Sequence, residues 1–330
     1  MDKENEQNEE AKMHENSDKI RKESFQFLSK DAKTKVHAVK WFPSNGRVRA
    51  VLQLTHGMVE YIERYEEIAV YFASRGFLVV GHDHLGHGAS VTAQSEWGYF
   101  TEKKPSETVV ADIYQVTRIV RGQYPDCPLF ILGHSMGSFL LRRYLTLHSE
   151  DVAGAVICGT GSHTDIETVF GMAVCRLIQL FRGGHYRSMF ITKAAFGKPY
   201  AKFNLDGTDF AKSWLSKNED SVRAYCSDPR CTFLFTVNAY YGLFSTIRYV
   251  NQMKHIRKIR KNLPVFFIAG QDDPVGNFGE GVRKAYAQYR QAGIRDVRMK
   301  LYPNDRHEIL QETDREQVFA DIYQWCKKRM

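Results

Sequence analysis

No apolar run in this 330-residue chain approaches the roughly 18 residues that a membrane-crossing helix needs; stretches such as Val265–Ala269 are only a handful of residues long. The chain opens M-D-K-E-N-E-Q-N-E-E, with neither a basic nor an apolar segment, and this predicts no secretory signal. Cysteine is scarce. There are six, at 127, 158, 175, 226, 231 and 326, without a C-x-x-C pair. Cys226 and Cys231 are near enough to join, but without an export signal reduced, mostly buried thiols are the expectation, in a cytoplasmic enzyme. There is no G-x-G-x-x-G fingerprint and no phosphate-binding P-loop, so neither a dinucleotide nor a nucleotide phosphate is called for. His307-Glu308 does not begin an H-E-x-x-H motif, because Gln311 stands where the second histidine would be. What is present is ordinary globular material, 43% hydrophobic and 25% charged, enough for one large α/β domain carrying an insertion.

The net charge of +8 is unevenly spread. Seven acids against three lysines in residues 1–20 leave +12 on the remainder. The densest basic run, Lys254, Arg257, Lys258, Arg260 and Lys261, has no interleaved aromatics and reads as a solvated face before a core strand. Nucleic acid is therefore not an expected partner. Weak peripheral contact with an anionic membrane surface is compatible with such a charge. The sequence carries no signal for an oligomeric state.

Residues 1–20 hold too few apolar side chains to offset the entropy of ordering and are expected to form a disordered acidic tail. After two strand-like runs, Ser24–Leu28 and Val36–Phe42, strands and helices alternate. The strands expected are Val48–Thr55, Phe77–Gly81, Pro128–Leu132, Val152–Cys158, Pro264–Ala269 and Val297–Tyr302. The helices are Glu66–Ser74, Ser106–Arg121 (with Ser106 as its cap), Met136–Leu147, Glu280–Gln291 and Glu316–Arg329. Near-continuous apolar strands in this rhythm predict a mostly parallel sheet covered by helices on both faces. From 161 to 255 no core strand is legible. Phe233, Val237, Tyr241 and Phe244 fall at helical spacing, and the segment carries 16 of the 42 aromatics. The expected division is a core over 21–160, a helical cap over 161–255, and the rest of the core over 256–330.

The strongest motif is Gly133-His134-Ser135-Met136-Gly137. It follows the apolar strand Leu129–Leu132 and precedes a helix, the setting of a nucleophile elbow. A side chain at the apex of so tight a turn needs neighbours without bulk, which the two glycines supply. A serine hydroxyl needs a base, and the base an orienting acid. Asp273 and His307 follow the strands at 264–269 and 297–302, so all three lie past C-terminal strand ends, on one edge of a parallel sheet. The order Ser, Asp, His is the one this elbow motif takes. The N–H groups of Met136 and of Met58, after His56-Gly57, are candidate oxyanion donors.

H-G-M-V-E-Y-I-E-R-Y at 56–65, G-H-D-H-L-G-H-G-A-S at 81–90 and G-H-S-M-G-S at 133–138 resemble the monoglyceride lipase and lysophospholipase branch of the α/β-hydrolase superfamily, grouped with the "serine aminopeptidase" hydrolases. The resemblance covers about 25–330 and is weakest in the cap. It implies an α/β-hydrolase fold with Ser135 as nucleophile, Asp273 as acid, His307 as base, and Met58 and Met136 as oxyanion donors. The family's acid is followed by one residue and an aliphatic, which favours Asp273 over Asp272. It also implies a structural turn at His82–His87, against the alternative of a zinc site like H-x-H-x-D-H, where Gly86 replaces the aspartate. The expected activity is hydrolysis of a small-molecule acyl ester, such as a monoacylglycerol or lysophospholipid, without metal or cofactor. Two readings compete with it. An aminopeptidase or amidase would hold a free amine on cap acids such as Glu167, Glu219 and Asp220. A ligand-binding protein would carry the fold without turnover.

Overall fold

The computed structural model describes residues 20–197, 200, 203 and 213–330. The expected acidic tail, up to residue 19, lies outside them. The described residues form one eight-stranded sheet: β1 (Ile20–Leu28), β2 (Lys35–Pro43), β3 (Ala50–Thr55), β4 (Phe77–His82), β5 (Leu129–His134), β6 (Gly154–Cys158), β7 (Val265–Gly270) and β8 (Val297–Tyr302). The order is β1-β2-β4-β3-β5-β6-β7-β8. Only β2 runs against the rest: it is antiparallel to both of its neighbours, β1 and β4, so β1 shares the direction of the other strands. From β4 through β3, β5, β6 and β7 to β8 every pairing is parallel.

The sequence dictates this layering. Strands β3 to β7 are buried along their whole length, so helices must cover both faces. Helices α1 (Glu66–Ala73) and the C-terminal Arg315–Lys327 pack on one face around Phe72, Phe77, Phe130 and Trp325. Helices α2 (Pro105–Gln123), α3 (Met136–His148) and Glu280–Gln291 cover the other, around Val110, Ile131, Leu141 and Tyr289. At the edge, β1 leaves most of its residues exposed, so its polar pattern gives little sign of where it begins.

One helix start differs from expectation. Ser106 does not cap α2. Lys104 precedes the helix at φ +50°, and Pro105, whose fixed φ suits a first turn, starts it. The Ser106 hydroxyl instead accepts from Arg143 on α3.

Between β6 and β7 the described residues are helical: α4 (Asp165–Arg182), α5 (Met189–Ala195), α6 (Glu219–Ser227), α7 (Val237–Val250) and the single turn α8 (Met253–Ile256). Numbering then continues with α9 (Glu280–Gln291) and α10 (Arg315–Lys327). Thr164 and Glu167 form a reciprocal capping box at the start of α4, which packs along α7. Only Thr168 and Cys175 of α4 are buried. No helix among the described residues is long and apolar enough to cross a membrane. All six cysteines are thiols, with Cys226 exposed and Cys231 buried.

Candidate active site

Ser135 sits between β5 and α3 at φ +53°, ψ −121°, a strained backbone for a residue with a side chain. Its N–H donates to the Cys158 carbonyl of β6, and its own carbonyl accepts from the N–H and hydroxyl of Ser138. A Cβ on Gly133 would come within 2.4 Å of the Gly137 carbonyl oxygen, and one on Gly137 within 2.1 Å of the Thr55 carbonyl oxygen. The two glycines are therefore what allows strand, elbow and helix to pass so closely. Met136 is the first residue of α3, where an N–H has no acceptor within the helix.

The turn after β3 supplies the facing wall. A Cβ on Gly57 would lie 3.0 Å from the Ser135 Cβ, so this loop runs directly against the elbow. Val59 is held at φ +58°, unusual for a β-branched residue. The Glu60 carboxylate restrains the turn by accepting from the Gly57 N–H. Met58 shares the wall of a cavity of about 1020 Å³ with Ser135, Met136 and His307.

Asp273 and His307 meet beyond the ends of β7 and β8. His307 Nδ1 lies 3.0 Å from Asp273 Oδ1, which also accepts from the Val275 N–H at 2.8 Å. Both side chains are buried. Asp272 is half-buried and contributes its N–H to the Asp305 carbonyl. No hydrogen bond joins the Ser135 hydroxyl to His307 among the described residues; the two share one cavity wall.

A second layer of charge lies behind these residues, and sequence reasoning missed it. Arg64 grips Glu308 through Nη1–Oε1 at 2.7 Å and Nη2–Oε2 at 2.8 Å, and reaches Glu60 Oε2 at 3.0 Å. Glu60 Oε1 accepts from the Tyr65 hydroxyl at 2.9 Å and faces His134 Nδ1 at 3.3 Å. Burial opposes ionisation of Glu60, but the hydrogen bond and charge of His134, with Arg64 behind them, hold it below the usual carboxylate range. Burial likewise opposes charge on His134, and Glu60 outweighs it, raising this imidazole above its ordinary value. The only hint in the sequence is charge inside otherwise apolar segments: Glu60 and Arg64 four apart, and Glu308 beside His307.

The histidines at 82–87 lie in a buried cluster of rings. His56, His82, His84 and His87 are buried and pack ring against ring, with centroids 4.2–6.3 Å apart. Asp83 accepts from the N–H groups of Ile62 and Ala89. No group of three or more His, Cys, Asp or Glu side chains among the described residues is placed to hold a metal ion.

The rest of the cavity is mostly apolar, with Phe139 from the core and Val174, Phe235, Leu243 and Phe244 from the segment between β6 and β7. Of the acids proposed for an amine, Glu167 lines it, while Glu219 and Asp220 do not. Glu167 is already engaged with the Thr164 N–H and hydroxyl.

Residues 46–314 match the family model described as "Serine aminopeptidase, S33". The monoacylglycerol lipase of Mycolicibacterium smegmatis is 24% identical over 290 residues, covering 86% of this chain and 90% of that protein. The monoglyceride lipase of Homo sapiens is 24% identical over 295 residues, covering 88% and 86%. Among solved structures, a thermostable carboxyl esterase from Bacillus coagulans, in complex with glycerol, superposes with a TM-score of 0.86 at 28% identity over 93% of this chain and 98% of that one. A soluble variant of Saccharomyces cerevisiae monoglyceride lipase, at 22% identity and TM-score 0.71 over 90% and 93%, shares the fold. The fold is that of an α/β-hydrolase.

Proposed function

The chain belongs to the serine aminopeptidase S33 family of hydrolases, and from that premise we propose that it cleaves carboxylic esters of acyl lipids, with monoacylglycerol or lysophospholipid as the substrate class. The observation that carries this reading is the His307–Asp273 hydrogen bond in the wall of the apolar cavity that opens on the Ser135 elbow. Ser135 Oγ attacks the ester carbonyl while His307 Nε2 takes its proton, and the N–H groups of Met58 and Met136 hold the oxyanion. Asp273 keeps the Nδ1–H tautomer and stabilises the imidazolium. His307 then returns the proton to the departing alcohol as the carbonyl re-forms. A water deprotonated by His307 attacks the acyl-serine, and collapse of that second intermediate frees the acid and restores the hydroxyl. None of these steps calls on a cofactor.

The helices at 161–255 act as a cap over the acyl chain in this reading, and the aromatic lining from α4 and α7 supports it. The amine-binding alternative is disfavoured because Glu167 in the cavity wall is committed to its capping box, and the other acids there, Glu60 and Glu308, are held by Arg64. Thiols at all six cysteines suit a reducing compartment such as the cytoplasm.

The rim of the cavity supports weak peripheral contact with an anionic lipid surface. Phe170 and Phe190 line the cavity and are 66% and 65% exposed; Leu180 and Phe181 extend the apolar face, with Arg176, Arg182 and Arg187 on the same stretch. Co-sedimentation with phosphatidylserine vesicles that is lost in Leu180→Asp/Phe181→Asp would support that contact, and equal recovery would remove it.

The deciding assay is hydrolysis of nitrophenyl esters and of monoacylglycerol across acyl lengths by wild type and Ser135→Ala. Activity lost in the variant supports the serine mechanism. Activity equal in both overturns it, and inert wild type on every ester moves the reading to an amide substrate or to ligand binding.

A further inference from the structure

His134 precedes Ser135 at the end of β5, and both of its ring nitrogens face acceptors. Nδ1 lies 3.3 Å from Glu60 Oε1, and Nε2 lies 3.2 Å from the backbone carbonyl oxygen of His307. An ionised carboxylate and a carbonyl can only accept, so each of these bonds takes a hydrogen from the imidazole. A neutral ring has one to give; the geometry uses two.

His56, nearby, shows the opposite arrangement. Its Nδ1 donates to the Gly57 carbonyl while its Nε2 accepts from the His84 N–H, which fixes a neutral tautomer. The surrounding charges agree with the difference. Glu60 and Glu308 bring two negative charges into a buried cluster where Arg64 brings one positive, and a cationic His134 completes neutrality. Two buried carboxylates sharing one guanidinium would otherwise leave an uncompensated charge.

We infer that His134 is a standing imidazolium and a positioning residue. Its Nε2–H holds the carbonyl of His307, and through it the catalytic ring 4.8 Å away, while its Nδ1–H anchors the Glu60 that fixes the Gly57–Met58 turn. One protonated ring thus ties the oxyanion turn, the elbow and the base loop together. The groups facing it are Glu60 and Tyr65 with Arg64 behind them, Cys158 from β6, and His307 and Glu308 from the loop after β8. When His134 loses its proton at alkaline pH, one of the two bonds breaks and the base loop loosens. Activity then falls at high pH. This inference rests on the Ser135, His307 and Asp273 reading above.

The test pairs nuclear magnetic resonance with a pH profile on the full chain. In histidine-labelled Ser135→Ala protein, His134 should show two protonated ring nitrogens at pH 7 and titrate only on the alkaline side, whereas His56 should show one. In His134→Gln, which keeps an N–H donor but cannot titrate, kcat should fall roughly 10- to 100-fold with KM nearly unchanged, the scale of a small misplacement of a catalytic group. The alkaline limb of wild type should be gone. A neutral His134 at pH 7 overturns the inference even if His134→Gln fails to fold, and so does an unchanged alkaline limb in a folded His134→Gln. If Ser135→Ala remains active, it is the triad reading that fails; the charge of His134 is then still decided by its ring nitrogens.

Discussion

Arg64 and Glu308 are joined by two parallel hydrogen bonds of 2.7 and 2.8 Å, although 244 residues separate them in the chain. Glu308 directly follows His307, so this fork pins the loop after β8 to the turn after β3. Both side chains are almost wholly buried. Removing one partner leaves the other's charge without compensation, which costs about 3–5 kcal/mol in buried pairs. Arg64→Met is therefore expected to lower the thermal midpoint sharply, since it strands two carboxylates. Arg64→Met/Glu308→Leu should recover part of the loss. Midpoints for the two single variants and the double variant check this, and additive losses would show that the fork does not couple them.

Asp273 and Asp272 are adjacent but face different surroundings. Asp273 is fully buried, with Oδ1 on His307 and Oδ2 without a hydrogen-bond partner among the described residues, while Asp272 is half-buried. Asp273→Asn keeps the shape and removes the charge that, in the proposed mechanism, orients His307, so kcat on a nitrophenyl ester should fall about 10⁴-fold. Asp272→Asn should stay within a fewfold of wild type. The reverse pattern would assign the acid to Asp272.

The contrast between those two layers explains what a reader of the sequence can and cannot see. The elbow is legible because its requirements are local: an apolar strand, two glycines where the backbones of 55, 133 and 137 nearly touch, and a helix. Strands β3 to β7 are legible because burial on both faces writes itself as unbroken apolar runs. Ser106 misleads because a capping residue type beside Pro105 gives the same pattern as a second helical residue, and here the proline decides the start. Glu60, Arg64, His134 and Glu308 are illegible as a group. Each reads as an ordinary polar residue until the fold brings the turn after β3 against the loop after β8.

The buried histidines make stability depend on pH. Burial is the main reason that His56 and His82 are pushed down to about 3 and His87 to about 4. Their folded values lie below that of an exposed histidine near 6.5, so the unfolded chain binds more protons in the window between. Stability is therefore full above about pH 6.5 and is lost as the pH falls toward 4. At pH 5 each of the three contributes on the order of 2 kcal/mol of this loss. Urea midpoints should drop steeply between pH 6.5 and 4.5, and His82→Phe should flatten the slope. A midpoint constant across that range would contradict the burial of neutral rings.

Arg142, on α3 just behind the elbow, is wholly buried and has no carboxylate beside its guanidinium among the described residues. Its Nη1 donates to the Gly161 carbonyl at 2.9 Å, and its Nη2 to Asn251 Oδ1 at 3.0 Å and the Val250 carbonyl at 3.2 Å. Residues 160–161 leave the sheet after β6, and 250–251 end α7, so one side chain holds both ends of the inserted helices. Burial without an anion lowers its pKa from the ordinary arginine value, which makes it an expensive residue to keep there for packing alone. Arg142→Met removes the charge but leaves several buried carbonyl and amide oxygens without a donor, each worth about 1–3 kcal/mol. Arg142→Lys keeps the charge but concentrates its donors at one point, which cannot span both segments. Both variants should be destabilised. If the helices at 161–255 shape the acyl pocket, both should also lose selectivity among acyl lengths more than they lose activity on the shortest ester. A lowered midpoint with an unchanged chain-length profile would leave Arg142 as a packing residue and separate the two ends of the insertion from substrate choice.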